Sequence, residues 1–381
     1  MNLIEVLAPN ENLLLVSSSA AFTLMRKEKT RLGWIEWLQG WYRLTCETLF
    51  QKINARNLQD PLPLPPLNGQ TCIVTGATSG IGLEIARQLA ESGAHLVMAV
   101  RNTNLAYQII QKWLRNEPDS RSLSIDVLEL DLLSLESVVK FAQEWNSKSK
   151  PLHVLINNAG IYSIGQPQKF SKDGYETHLQ VNHLGPALLS ILLLPSLKRG
   201  APSRVVNVNS LLHTVGFVDF QDMNFITKKN KFSSRKAYSN SKLAQIMFSS
   251  MLQKYIPTDA GIYTLCVEPG AVRTNVTRDL PRILNILYQK MFFFMFDAQQ
   301  GSRSALFAAT DVDILKYCGK LKAEEWPVCA FIGCHCKPTK PSKEAYNVGT
   351  SQQVWEKTLE MVGFSIDAVD MIFQGKEIHC C

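Results

Sequence analysis

Thr75-Gly76-Ala77-Thr78-Ser79-Gly80-Ile81-Gly82 follows a short apolar, β-branched run at residues 70–74 and leads into a helical pattern over residues 83–90. Strand, glycine turn and helix in that order make a phosphate site. The glycines let the backbone turn tightly and approach a pyrophosphate, while the free amides and dipole of the helix start attract its charge. A glycine-rich loop alone is also an ordinary tight turn, so the flanks on both sides carry the reading.

The next strand, residues 95–100, runs into Arg101-Asn102. An NAD-selective site places an acid there to bind the ribose 2′-hydroxyl. A guanidinium pairs instead with a 2′-phosphate, so Arg101 favours NADP(H), with NAD(H) still open and a plain surface arginine as the alternative. Residues 128–132 read as the end of a third strand, from which Asp131 can face the adenine. Further strands are expected at 154–156 and 204–208, with helical segments between them. This alternation argues for an α/β chain with a doubly wound parallel sheet covered on both faces.

The 381 residues are 46% hydrophobic and 19% charged, a composition that excludes disordered, collagen-like, coiled-coil and disulfide-scaffold classes. One core stops growing near ~250–300 residues, so the chain carries additions or a second domain. The net charge of +7 is modest and not gathered into a block, and nucleic acid is not an expected partner. Nine cysteines, odd in number and spread out, read as reduced thiols. Cys329, Cys334 and Cys336 with His335 lack the usual spacing of zinc ligands, so no metal is expected.

Further along stand Asn157-Asn158-Ala159-Gly160, Asn182, Ser210, Tyr238-Ser239-Asn240-Ser241-Lys242 and Pro269-Gly270. With the glycine turn, in this order and at this spacing, they resemble the short-chain dehydrogenase/reductase family over residues 68–311. The resemblance implies a Rossmann-type fold and a direct hydride exchange between nicotinamide and a carbonyl or alcohol carbon. It implies catalytic roles for Asn182, Ser210, Tyr238 and Lys242. It also implies cofactor contacts from Thr75, Gly76, Ser79, Gly80, Ile81, Gly82, Asn158, Ala159, Gly160, Pro269, Gly270 and Thr274, besides Tyr238 and Lys242, with Lys242 holding the nicotinamide ribose and Asn182 ordering a water behind it.

The chemistry of the residues agrees. Tyr238 and Lys242 are four apart and share a helix face, where an ammonium is expected to lower the tyrosine pKa from ~10 towards working pH. Tyr238 then serves as general acid or base, and the Ser210 hydroxyl supports the substrate oxygen as charge develops. Three features depart from the commonest pattern. Asn209 stands where a second serine is common, Pro186 can kink the segment beside Asn182, and the interval from Ser210 to Tyr238 is long. That interval, with residues 217–223 and Lys228, Lys229 and Lys231, is similar to the retinol-dehydrogenase-like and WW-domain-oxidoreductase-like branch, and to protochlorophyllide reductases. A regulatory binding protein that keeps the fold is the competing class; retention of all four catalytic residues disfavours it.

The surplus length is expected to be an N-terminal extension (1–60), a proline-rich linker (61–68) and a C-terminal extension (321–381) around one catalytic domain (69–320). Residues 12–25 are too short and too interrupted by hydroxyl residues to be read as a membrane span, and no secretory signal is read at the start. On a helical wheel, Trp34, Ile35, Trp37, Leu38, Trp41, Tyr42, Leu44 and Leu49 gather on one arc, opposite Glu36, Arg43 and Glu47. That is the composition of a helix lying in a membrane interface, although its polar face mixes signs rather than being basic; the alternative is a helix packed on the protein's own surface or on a partner. Peripheral membrane association with a cytosol-facing catalytic domain is therefore expected, with a homodimer left open. The resemblance implies that the apolar stretch 280–296 covers the substrate; residues 291–296 read as an apolar lid, as a segment dipping into a membrane surface or as a buried core helix, and a lid favours a lipophilic carbonyl compound. Asn275-Val276-Thr277 is a formal glycosylation site, relevant only in a lumenal chain, and Cys380-Cys381 lack a prenylation box.

Overall fold

A computed structural model describes residues 32–116, 123–227, 231–273, 293–322, 326 and 329–376. Thr274, Lys228, Lys229, most of the apolar stretch 280–296, the formal glycosylation site, residues 12–25 and the two terminal cysteines lie outside the described residues.

The glycine turn sits where the sequence places it. Strand β1 (Thr71–Thr75) is followed by helix α2 (Gly80–Glu91), and the chain continues through β2 (His95–Val100), α3 (Thr103–Asn116), β3 (Ile125–Glu129) and α4 (Leu135–Ser147). It then crosses to the other side of β1 with β4 (Val154–Asn157), α5 (Gly185–Leu192), α6 (Leu194–Arg199), β5 (Ser203–Val208), α7 (Ser234–Tyr255) and β6 (Ile262–Val267). Helices α8 (Ala298–Thr310) and α9 (Asp313–Lys322), strand β7 (Ala330–Ile332) and helices α10 (Val348–Met361) and α11 (Ala368–Phe373) follow; helix α1 (Trp34–Asn54) precedes the sheet.

Seven strands, all parallel to their neighbours, lie in the order β3-β2-β1-β4-β5-β6-β7. The order reverses between β1 and β4, which opens a crevice at their carboxyl ends. Side chains alternate between two cores, as the strand period requires. Ile73, Val97, Leu155 and Val205 pack with α4, α5 and α7 on one face, whereas Cys72, Val74, Met98, Ile156 and Val206 pack with α2, α3 and α8 on the other.

The third strand ends at Glu129 rather than running to residue 132, because Asp131 turns the chain: its Oδ1 accepts the Leu133 N–H at 3.0 Å. Strands β6 and β7 complete the sheet. The second of these falls inside the segment read as a C-terminal extension, so that segment is woven into the catalytic sheet. Helix α10 packs on α7 through Trp355, whose ring stacks 5.0 Å from Phe248 and 4.9 Å from Tyr255.

Helix α1 forms where the apolar arc is expected, and only part of that arc meets the protein body: Trp41 and Leu44 are half-buried, with the Arg235 guanidinium 5.2 Å from the Trp41 ring centroid. Gly40, Thr48 and Gln51 are its buried residues, while Trp34, Ile35, Leu38, Tyr42, Phe50 and Ile53 are exposed. Close approach needs the glycine: a Cβ at Gly40 would sit 2.5 Å from the Thr214 carbonyl oxygen. The helix thus packs on the protein's own surface through its Gly40, Thr48 and Gln51 side, while most of the apolar arc stays outward.

Candidate active site

Gly76 and Gly80 adopt φ of +68° and +58°, the left-handed region that glycine enters without cost. Gly82 is required by space, since a Cβ there would lie 2.2 Å from Asn158 Nδ2. Ser79 starts α2 without a side-chain cap, so the first-turn amides, which have no intrahelical acceptors, face the crevice available to a phosphate.

Thr75 and Asn158 hold each other. Thr75 Oγ1 accepts the N–H groups of Asn158 and Ala159, each at 3.0 Å, and Asn158 Nδ2 donates to the Thr75 carbonyl at 2.9 Å. Their side chains thus brace the loops after β1 and β4 and leave backbone to face a cofactor. Gly160 lies deeper, where a Cβ would be 3.2 Å from Asn182 Oδ1 and 3.7 Å from Lys242 Nζ. Arg101 is exposed just past β2, Asp131 is half-buried just past β3, and Gly270 turns the chain after β6 with φ +80°.

Asn182 sits in a π-helical turn, Gln180–Leu184. Pro186 has no N–H to give the Asn182 carbonyl, the acceptor a regular helix would assign it, and Gly185 N–H bonds back to the Gln180 carbonyl instead. The expected kink therefore takes the form of a π turn, a device common at functional sites. The Asn182 side chain is fully engaged: Oδ1 accepts from Ile161 N–H at 2.9 Å, and Nδ2 donates to the Ile161 carbonyl at 3.0 Å and to Ser241 Oγ at 3.1 Å.

Ser210 caps the short 3₁₀ turn Leu211–Val215 through its Oγ. Asn209, in place of a second serine, fastens the end of β5 to α7 by donating to the Lys242 carbonyl at 2.8 Å and to Gln245 Oε1 at 3.1 Å. Tyr238 and Lys242 lie on one face of α7, with Nζ 6.0 Å from the phenol ring centroid and donating to the Val208 carbonyl at 2.8 Å.

The expected lowering of the Tyr238 pKa is not found. Burial pushes it up to about 12, its hydrogen bond with Ser210 pulls it down, and Tyr162 adds to the rise. Burial brings Lys242 down to about 8. Desolvation decides the balance, so Tyr238 keeps its proton at neutral pH.

Two neighbours escaped the sequence reading. Tyr162 stacks on Tyr238 with ring centroids 4.3 Å apart, and His178 meets Tyr238 edge-on at 6.5 Å. The Ser163 N–H donates to His178 Nε2 at 3.0 Å, which leaves the proton on Nδ1, directed at Glu176 Oε1 at 2.7 Å. The signal available was Tyr162, two residues past the Asn-Asn-Ala-Gly run; only the fold shows which side chain reaches the phenol.

These residues match residues 70–222 to the short chain dehydrogenase family, and the chain belongs to the short-chain dehydrogenase/reductase family, in its retinol-dehydrogenase-like branch. It is an NAD(P)-dependent oxidoreductase acting between alcohol and carbonyl. It is 56% identical, over 93% of its length and 94% of the relative's, to the dehydrogenase/reductase SDR family member FEY of Arabidopsis thaliana. Human retinol dehydrogenase 12 is 35% identical over 78% of this chain and 87% of its own. Among solved structures, an uncharacterised protein from Mycobacterium paratuberculosis has a TM-score of 0.59 at 30% identity, covering 78% of this chain and 95% of that one. An NADP-bound protein described as a gluconate 5-dehydrogenase of Beutenbergia cavernae, 22% identical with a TM-score of 0.52 over 70% and 96% of the two chains, shares the fold.

Proposed function

We propose that this protein uses NADP(H) to interconvert a carbonyl and an alcohol on a lipophilic small molecule. The observation that carries the chemistry is Tyr238 held as a phenol beside Ser210, with Lys242 behind it. A substrate carbonyl entering between the two hydroxyls accepts hydrogen bonds from both, and Tyr238 gives up its proton as negative charge grows on the oxygen. Lys242 supports the phenolate that remains, and Tyr162 and His178 keep the phenol ring in place. In the alcohol-oxidising direction the same groups work in reverse.

The glycine cradle, the uncapped α2 start and the space beside Gly160 fit a dinucleotide. Bound there, it supplies or accepts the hydride at the substrate carbon. Arg101, exposed past β2 with no acid at the same point, supports NADP(H) over NAD(H) by pairing with a 2′-phosphate. The lipophilic class is supported by the retinol dehydrogenases among the relatives and by the apolar residues at the end of the stretch 280–296.

NADPH absorbance followed with a panel of apolar aldehydes tests the activity; no substrate-dependent loss across the panel would sink it. Cofactor choice is read from affinities for NADPH and NADH in wild type and Arg101→Ala. We expect the variant to lose about ten-fold or more for NADPH with little change for NADH; an unchanged ratio removes the role of Arg101.

A further inference from the structure

Helix α1 is amphipathic in the reverse of the usual sense. Its polar arc faces the protein: Arg43 pairs with Glu47 at 2.6 Å and donates to the Lys340 carbonyl at 2.8 Å, and Thr214 Oγ1 reaches the Gly40 carbonyl at 3.3 Å. Most of its apolar arc faces outward, with Trp41 and Leu44 half-buried at its edge. Trp34 is 74%, Tyr42 73% and Ile53 56% exposed, with Ile35 and Leu38 each half-exposed between them. A surface helix of a water-soluble protein turns its apolar stripe to the core, so this orientation needs another apolar medium.

The outward face also says which medium. At 100° per residue the arc covers about 160° and carries one charge, Lys52, and no carboxylate. Of the mixed-sign face, Arg43 and Glu47 are turned to the protein body, while Glu36 accepts the Gly33 N–H at the helix start. Trp and Tyr are the side chains that settle at the lipid headgroup level, and a cation without acids suits an anionic bilayer surface. The patch continues past the helix: Phe293 is 78% exposed, with Lys52 Nζ 5.9 Å from its ring centroid. Among the described residues no helix is long and apolar enough to cross a membrane.

Gln51, buried on the inner side of α1, connects this patch to the substrate side. Its amide nitrogen donates to the Ala271 and Phe294 carbonyls at 3.0 and 2.7 Å, and its oxygen accepts the Ala271 N–H at 2.8 Å. Ala271 and Phe294 bracket the segment that follows the Pro269-Gly270 turn.

We infer that α1 lies flat on a lipid bilayer by its outward face, and that the Gln51 clamp holds Ala271 and Phe294 beside the same surface, so that lipophilic substrate enters from the lipid. The second half rests on the function proposed above; the first does not.

The full chain is floated with phosphatidylcholine vesicles containing phosphatidylserine. Leu38→Glu/Tyr42→Glu/Ile53→Glu charges the outward face at exposed positions, and Val312→Glu/Val348→Glu/Ile366→Glu does so at exposed apolar positions elsewhere. Unchanged thermal melting and NADPH binding show that both variants fold. Wild type and control are expected to float and the outward variant to lose flotation ten-fold or more. The lipid surface is overturned if wild type stays unbound, if the outward variant floats like wild type, or if light scattering shows that the outward variant only splits a dimer. A second arm compares a long-chain aldehyde dissolved in the vesicles with a short water-soluble one. The outward variant is expected to lose ten-fold on the first and nothing on the second; equal loss on both, or none on either, overturns entry from lipid. If wild type reduces neither aldehyde, the proposed reaction fails while flotation still decides the surface.

Discussion

At the scale of single residues, two phenol rings stack and the proposed chemistry falls to one of them. Tyr238 meets Ser210 and lies on the Lys242 face of α7, whereas Tyr162 covers the Tyr238 ring. Loss of the Tyr238 hydroxyl removes the proton donor, and general acid catalysis contributes about 10²–10⁴-fold. Tyr238→Phe is thus expected to lower kcat by that factor with NADPH affinity kept, and Tyr162→Phe by less than ten-fold, since the ring that packs is retained. Equal losses in steady-state assays would show that the phenols share the role. That Tyr238 and Lys242 share a helix face was legible from their spacing, and the family resemblance pointed to Ser210 and Asn182 beside them. Their protonation was not, because helical spacing puts Lys242 near Tyr238 but says nothing of the desolvation that dominates both. Thr75 and Asn158 show the same limit: the family resemblance implied cofactor contacts, and their side chains are taken by each other.

At the scale of elements, most strands could be read from apolar, β-branched runs ended by turns. Strand β7 could not, because Ala330–Ile332 is three residues long and sits among cysteines and loop residues. For α1 the helix and its apolar arc were legible but the direction it faces was not, since small and polar residues decide the docking. Gly40 is the closest contact, against the backbone of the 3₁₀ turn that starts at Ser210. A valine there must displace either the helix or that turn, and overpacking of this kind costs about 1–3 kcal/mol. Gly40→Val is expected to loosen α1, seen as faster amide hydrogen exchange over residues 34–54, and to lower catalytic efficiency through Ser210. Wild-type exchange in the variant would mean that α1 is not held by this contact.

At the scale of the whole molecule, three buried titratable groups sit where outer elements join the sheet. His183 reaches from the π turn to α10, its Nε2 2.7 Å from Thr358 Oγ1. His213 joins the 3₁₀ turn to the C-terminal loop by accepting the Ser342 N–H at 3.1 Å. Glu268, past β6, faces Glu47 and Arg43 of α1. Burial lowers both histidines from 6.5 to about 3, and burial followed by Glu47 raises Glu268 from 4.5 to about 8, against the pull of Arg43. Between pH 3 and 6.5 the unfolded chain binds more protons at the two histidines, so their contribution is lost as pH falls. Between 4.5 and 8 the folded chain binds more at Glu268, so its contribution is lost as pH rises. Each proton is worth about 1.4 kcal/mol per pH unit. The histidines outweigh the glutamate below 6.5 and the glutamate acts alone above it, which places the stability maximum of these three groups near pH 6.5. Calorimetric Tm at constant ionic strength from pH 4 to 9 is expected to peak there, with Glu268→Gln flattening the alkaline arm and His183→Asn weakening the acid arm. A Tm that climbs steadily to pH 8 in wild type, or arms unmoved by these substitutions, would show that the joints of the outer elements do not set the pH response.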